Sequence, residues 1–163
     1  MATSALHGKQ KSYEAVRDEV SIRAIVDSIH KAHHNKKAAG IAMHYTPDAA
    51  VFNLAPPLTQ VGVDLEEKQQ WLDGWATPVD LEARHAEITI SGDLAIWAGF
   101  LRMRGTRKGA ESAVDFWMRE TLCFKRHAGT WQIVHEHTSV PFYMDGSLRP
   151  AFDLIPEPRE TAR

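Results

Sequence analysis

The chain has 163 residues, enough for one domain with a buried core, and its 44% hydrophobic and 25% charged residues are ordinary for a globular protein. With 19 Lys+Arg against 21 Asp+Glu, the formal charge of -2 leaves no cationic excess for a nucleic-acid backbone. The lone cysteine, Cys123, excludes an intramolecular disulfide and favours a reducing, cytoplasmic location, and no apolar run reaches the ~20 residues that cross a bilayer.

Residues 1–11 are polar, lack a signal-peptide core, and read as a disordered tail. From Ser12 onward, Val16, Val20, Ile22, Ile25, Val26 and Ile29 recur at three- and four-residue steps, which predicts a helix with one apolar stripe. His33 and His34, with Lys31, Lys36 and Lys37, read as its solvated end, where cations suit the helix dipole. A second, short helix is expected over residues 37–45, stopped by Thr46-Pro47-Asp48. Residues 49–53 read as a strand ended by Pro56-Pro57. Asp64 as N-cap, with Glu67 three residues on, predicts a third helix over 65–75. Its Trp71 and Trp75, at i and i+4, are placed to line an entrance.

After Pro78 the hydrophobic period falls from 3.6 to 2. Strands are expected at 80–90, 94–104, 113–126 and 131–140, joined by turns at 91–93, 105–109 and 127–129. Long strands joined by short turns make an antiparallel meander. In the third of them, Phe116, Met118, Glu120, Leu122 and Phe124 share one face, which reads as core. The other face, with Trp117, Arg119, Thr121, Cys123 and Lys125, is too apolar to be simply wet. A homodimer formed through this outer sheet face would cover it. The domain is expected to span 12–145. A C-terminal tail, 146–163, is partly docked through Phe152, Leu154 and Ile155.

Glu120 stands alone among apolar neighbours, so desolvation should raise its pKa and make it a general acid or a neutral donor. The competing reading is an ion pair with Arg102 or Arg104 on the adjacent strand. In a regular strand, His135 and His137 share the face of Trp131 and Ile133, with Glu136 opposite. A bulge would reverse this facing, so His137 and Glu136 both stand as candidate acid/base groups. Two histidines without a third ligand do not define a metal site, and none is assigned. Asn53 and His30 are candidates to orient a carbonyl ligand. Trp71, Trp75, Trp97 and Trp117 supply apolar walls, with Arg102 and His135 as further ligand contacts.

The stretch Gly129-Thr130-Trp131-Gln132-Ile133-Val134-His135-Glu136-His137-Thr138-Ser139 resembles the last strand of SnoaL-like polyketide cyclases and ketosteroid-isomerase-like proteins, within the nuclear transport factor two-like superfamily. Arg119-Glu120-Thr121-Leu122-Cys123-Phe124 is similar to their penultimate strand. Residues 49–62, with Asn53 and Ala55-Pro56-Pro57-Leu58, resemble the strand and loop at their pocket mouth. The resemblance covers roughly residues 13–145. It implies an α+β, cone-shaped fold with N-terminal helices packed on a curved antiparallel sheet enclosing a pocket, commonly dimeric and without a cofactor. The isomerases' base falls on Asn53, which cannot abstract a proton, and their tyrosine falls near Ile29 or His30. Only their acidic donor keeps a carboxyl, at Glu120, so steroid isomerisation by that mechanism does not carry over. The expected function is a pocket for a small apolar or aromatic carbonyl compound, with acid/base chemistry of the isomerase, cyclase or dehydratase kind. The alternative is a non-catalytic ligand-binding or oligomeric association domain; neither reading involves nucleic acid or membrane.

Overall fold

In the computed structural model, which describes residues 13–158, the predicted helix forms as α1 (Tyr13–His34), but Val16 and Val20 of its expected apolar stripe are exposed. Ile22, Val26, Ile29 and Ala32 are its buried side, and the buried acid Asp18 joins them. Asp18 is not stranded: its Oδ1 accepts from Arg126 at 2.8 Å and from the Trp131 indole at 3.1 Å. This clamp fixes α1 to the far end of the sheet. Among the described residues no helix is long and apolar enough to cross a membrane. The predicted N-terminal tail, 1–11, lies outside the described residues.

Helix α2 (Ala38–Ala42) is shorter than expected, and strand β1 (Tyr45–Phe52) starts four residues early. Pro47 therefore sits inside a strand rather than ending a helix. The strand accommodates it because the pairing register breaks between Tyr45 and Ala50, where no ladder donor is required. A short strand β2 (Gln60–Val61) folds back on β1. Gly62 follows at φ +67, where an added Cβ would lie 2.6 Å from the Pro47 carbonyl oxygen. Helix α3 (Leu65–Asp73) opens as predicted, with Asp64 accepting the Glu67 N–H at 2.9 Å. It ends two residues earlier than expected, so Trp75 leaves the helix and bridges Arg107.

The meander follows as β3 (Asp80–Ser91), β4 (Leu94–Gly105), β5 (Val114–His127) and β6 (Thr130–Ser139), in the sheet order β2-β1-β6-β5-β4-β3. One pairing corrects the expectation of an antiparallel sheet: β1 runs parallel to β6. The whole meander separates these two strands in sequence, so no tight turn dictates their direction. Curvature comes from a bulge in β3, between Arg84 and Glu87, with His85 at φ +55. It brings Ala86 so near Gly99 that a Cβ there would sit 2.7 Å from the Ala86 Cα.

The inner face packs Trp97, Leu122, Phe124, Trp131 and Ile133 against α1 and Leu72 of α3. Phe116, Met118, Glu120, Leu122 and Phe124 are all buried on the face that alternation assigned to the core. Trp117, on the outer face, is buried as well, under the guanidinium groups of Arg84 and Arg102 at 4.4 and 5.8 Å from its ring. Past β6 the chain doubles back, pairing Phe142 with Pro150, and lays Phe152 against Phe116 with ring centroids 4.6 Å apart.

Candidate functional site

A cavity of about 690 Å³ opens between the inner sheet face, α1 and α3. Its deep wall carries two carboxyl groups. Glu120, only 7% exposed, takes a single hydrogen bond among the described residues, from the Trp97 indole N–H at 3.2 Å. Burial pushes the Glu120 carboxyl up to about 8, the charge of Glu136 pushes the same way, and the Trp97 donor only partly opposes them. Glu120 is therefore a neutral acid at pH 7.

Glu136 reaches the same cavity and accepts the Tyr45 hydroxyl at 2.5 Å. The Tyr45 phenol is itself driven well above its ordinary value, first by burial and then by Glu136 and Glu120, so it remains a donor. Glu120 lies opposite Thr138, and Leu122 opposite Glu136. The two carboxyls are thus diagonal neighbours across β5 and β6, a spacing of roughly 7–8 Å between backbones.

A bulge decides which member of the His135-Glu136-His137 run enters the cavity. Cys123 pairs with His135, but Phe124 pairs with Ile133, which leaves Val134 as an extra residue. Trp131 and Ile133 point inward before it, and Glu136 and Thr138 point inward after it. His135 and His137 are turned to the outer face, correcting both as cavity candidates. His135 donates Nδ1–H to the Ala50 carbonyl at 2.8 Å and meets the Phe52 ring at 4.9 Å, with His137 5.8 Å from the same ring.

Arg102 and Trp117 are likewise outside the cavity, for a simpler reason. Alternation in β4 and β5 sends both to the outer face, where Arg102 grips Asp115 through two bonds of 2.7 and 2.8 Å. Arg104 faces the same way, toward Glu82, so among the described residues Glu120 has no arginine partner.

The other candidates line the cavity: Asn53, His30, Trp71 and Trp75. The Asn53 amide donates to Gln60 at 2.6 Å, and Gln60 donates onward to Glu67 at 3.3 Å, forming a polar edge at the mouth. Burial lowers the His30 imidazole, against the pull of Asp27. Trp71 and Trp75 meet edge-on at 5.4 Å.

Tyr45 and His33 are among the lining groups that escaped the sequence reading. Tyr45 was hidden by extending the second helix to it; the available signal was a pair of strand-forming residues, Tyr45 and Thr46, directly before Pro47. His33, read as part of a wet helix end, instead faces the cavity with Nδ1–H bonded to the Ile29 carbonyl at 2.9 Å. Burial drives its imidazole down to about 4, so it is neutral at pH 7. Among the described residues no group of three His, Cys, Asp or Glu side chains is placed to hold a metal ion.

Compared with known families, residues 22–143 match the sequence model of the SnoaL-like domain. The chain belongs to the SnoaL-like domain family. No curated protein matches it. Among solved structures, this SnoaL-like chain is similar to a nuclear transport factor 2-like protein of unknown function from Pseudomonas putida KT2440. Identity is 26%, the match covers 86% of this chain and 98% of that one, and the TM-score is 0.75. It is also similar in fold to a candidate scytalone dehydratase from Novosphingobium aromaticivorans DSM 12444, at 12% identity over 83% and 92% of the two chains, TM-score 0.67. A third likeness is to a candidate calcium/calmodulin-dependent protein kinase II association domain from Xanthomonas campestris, at 18% identity over 85% and 94%, TM-score 0.63. The last two establish shared architecture only.

Proposed function

We propose that the cavity of this SnoaL-like protein binds a small apolar or aromatic carbonyl compound and catalyses proton transfer next to its carbonyl group. The observation that carries the reading is the pairing of a neutral acid, Glu120, with a second carboxylate, Glu136, that is aligned by Tyr45 in one apolar cavity. Two carboxyls in environments this different suit opposite roles. The Glu120 O–H donates to the carbonyl oxygen. Glu136 takes the proton from the adjacent carbon, and the C–H electron pair becomes the double bond of an enol whose oxygen holds the Glu120 proton. In a conjugated compound, Glu136 returns its proton to another carbon while the enol O–H proton goes back to Glu120, which isomerises it. Where a β-hydroxyl is present, protonated Glu136 gives it the proton with which it leaves as water, the carbonyl re-forms and Glu120 regains its proton. Asn53 and His30 line the same space as orienting groups. The candidate dehydratase of similar fold is in keeping with this chemistry.

The test incubates the protein with ring ketones such as β-tetralone in heavy water and follows deuterium entry by NMR. Exchange should exceed the buffer rate and fall at least about tenfold in Glu120→Gln and Glu136→Gln. Exchange that persists in Glu120→Gln removes this carboxyl from the mechanism. Ketones that raise the melting temperature without exchanging would instead make the protein a ligand-binding domain.

A further inference from the structure

Opposite the carboxyl end, the cavity mouth has a different character. Lys68 holds its ammonium 5.3 Å from the centre of the Trp71 ring, and Arg107 holds its guanidinium 5.1 Å from the centre of Trp75. Both cations line the cavity, and among the described residues neither has a carboxylate within ion-pair distance. The carboxylates of Asp64 and Glu67 also line the mouth, but each has a bond of its own. Asp64 caps α3 through the Glu67 N–H, and Glu67 accepts from Gln60.

Arg107 is placed by the fold, not by chance. The loop after β4 is tied to the end of α3, with Lys108 N–H bonded to the Gly74 carbonyl at 2.9 Å and Ala76 N–H to the Thr106 carbonyl at 2.8 Å. The benzo edge of Trp75 rests where a Cβ on Gly105 would otherwise stand. Its indole donor, Nε1–H, is buried and among the described residues has no partner, which is uncommon in a folded chain. Two cations without carboxylate partners thus sit over one aromatic pair.

We infer that the ligand is an amphipathic organic anion, seated with its carboxylate, sulfonate or phosphate at Lys68 and Arg107 and its apolar carbonyl end at Glu120. This rests on the acid/base reading for the inner end and adds the chemistry of the outer one. The orientation follows from charge. Glu136 repels an anion that enters head-first, while at the mouth the anion keeps part of its hydration and faces two cations.

Two probes of nearly identical shape separate charge from hydrophobicity: anilinonaphthalene sulfonate and its uncharged parent, phenylnaphthylamine. Each is titrated into the full chain and read by fluorescence, without any turnover, so a failure here leaves the proton-transfer reading standing and the reverse. The sulfonate should bind about tenfold tighter than the parent, and Lys68→Met with Arg107→Met should bring the two affinities together. On the unaltered chain, raising potassium chloride from about 0.05 to about 0.5 M should weaken the sulfonate severalfold more than the parent. Equal affinities in the unaltered chain, or a preference that survives the double substitution or high salt, overturn the inference.

Discussion

The carboxyl of Glu120 keeps a proton in the folded chain that the unfolded chain has lost across the interval from its ordinary 4.5 to about 8. The folded state therefore binds more protons in that window, and stability must fall as pH rises through it. Below the window this effect is absent; above it the loss is complete. The slope is about 1.4 kcal/mol per pH unit where the difference is one full proton, so the total is a few kcal/mol. Glu120→Gln cannot ionise and should flatten this part of the profile. Its melting temperature should be near or below the unaltered chain's at pH 5 and above it at pH 8.5. Parallel profiles for the two proteins would mean that Glu120 titrates normally. Glu120 was legible in the sequence because one charged residue interrupts an otherwise apolar strand face, and alternation alone settles which way it points. Tyr45 was not, because its role depends on where β1 begins, and a proline two residues later reads equally well as the end of a helix.

Elements whose signals are local were readable, and those set by partners were not. The start of α3 is a local event: the Asp64 side chain bonds the Glu67 N–H at 2.9 Å. Asp64→Ala should lower unfolding free energy by about 1 kcal/mol, the usual worth of such a cap, as a shift of the urea midpoint without a change of slope. No shift would mean that the cap is replaced by water. The four long strands were equally plain, since a period of two runs through most of each. The Val134 bulge has no comparable signature. It exists because β6 must satisfy Trp131 and Ile133 against α1 at one end and present Glu136 and Thr138 to the cavity at the other. Alternation carried unbroken through this strand therefore assigned His135 and His137 to the wrong side. The parallel pairing of β1 with β6 is also a property of the assembled sheet, invisible in either segment.

At the scale of the whole molecule, the sheet separates two surfaces of different character. The inner surface closes over the cavity. The outer one exposes Ile96, Phe100 and Phe52, with Cys123 half-buried between the strands. We propose that this outer face is covered by a second copy, since an apolar surface of this kind on an isolated chain invites association. Sedimentation at about 50 µM should give the mass of a dimer, and Ile96→Asp with Phe100→Lys should give a monomer with its helices intact. A monomeric unaltered chain would refute it. The functional account, however, rests on the inner surface, and there on one protonation state. Carbon-13 NMR of the glutamate side-chain carboxyls, with Glu120 assigned by its loss in Glu120→Gln, reads that state directly. The Glu120 resonance should be that of a protonated carboxyl at pH 7 and titrate near 8. A resonance that titrates near 4.5 would contradict it, because a Glu120 already ionised at neutral pH has no proton to give a bound carbonyl.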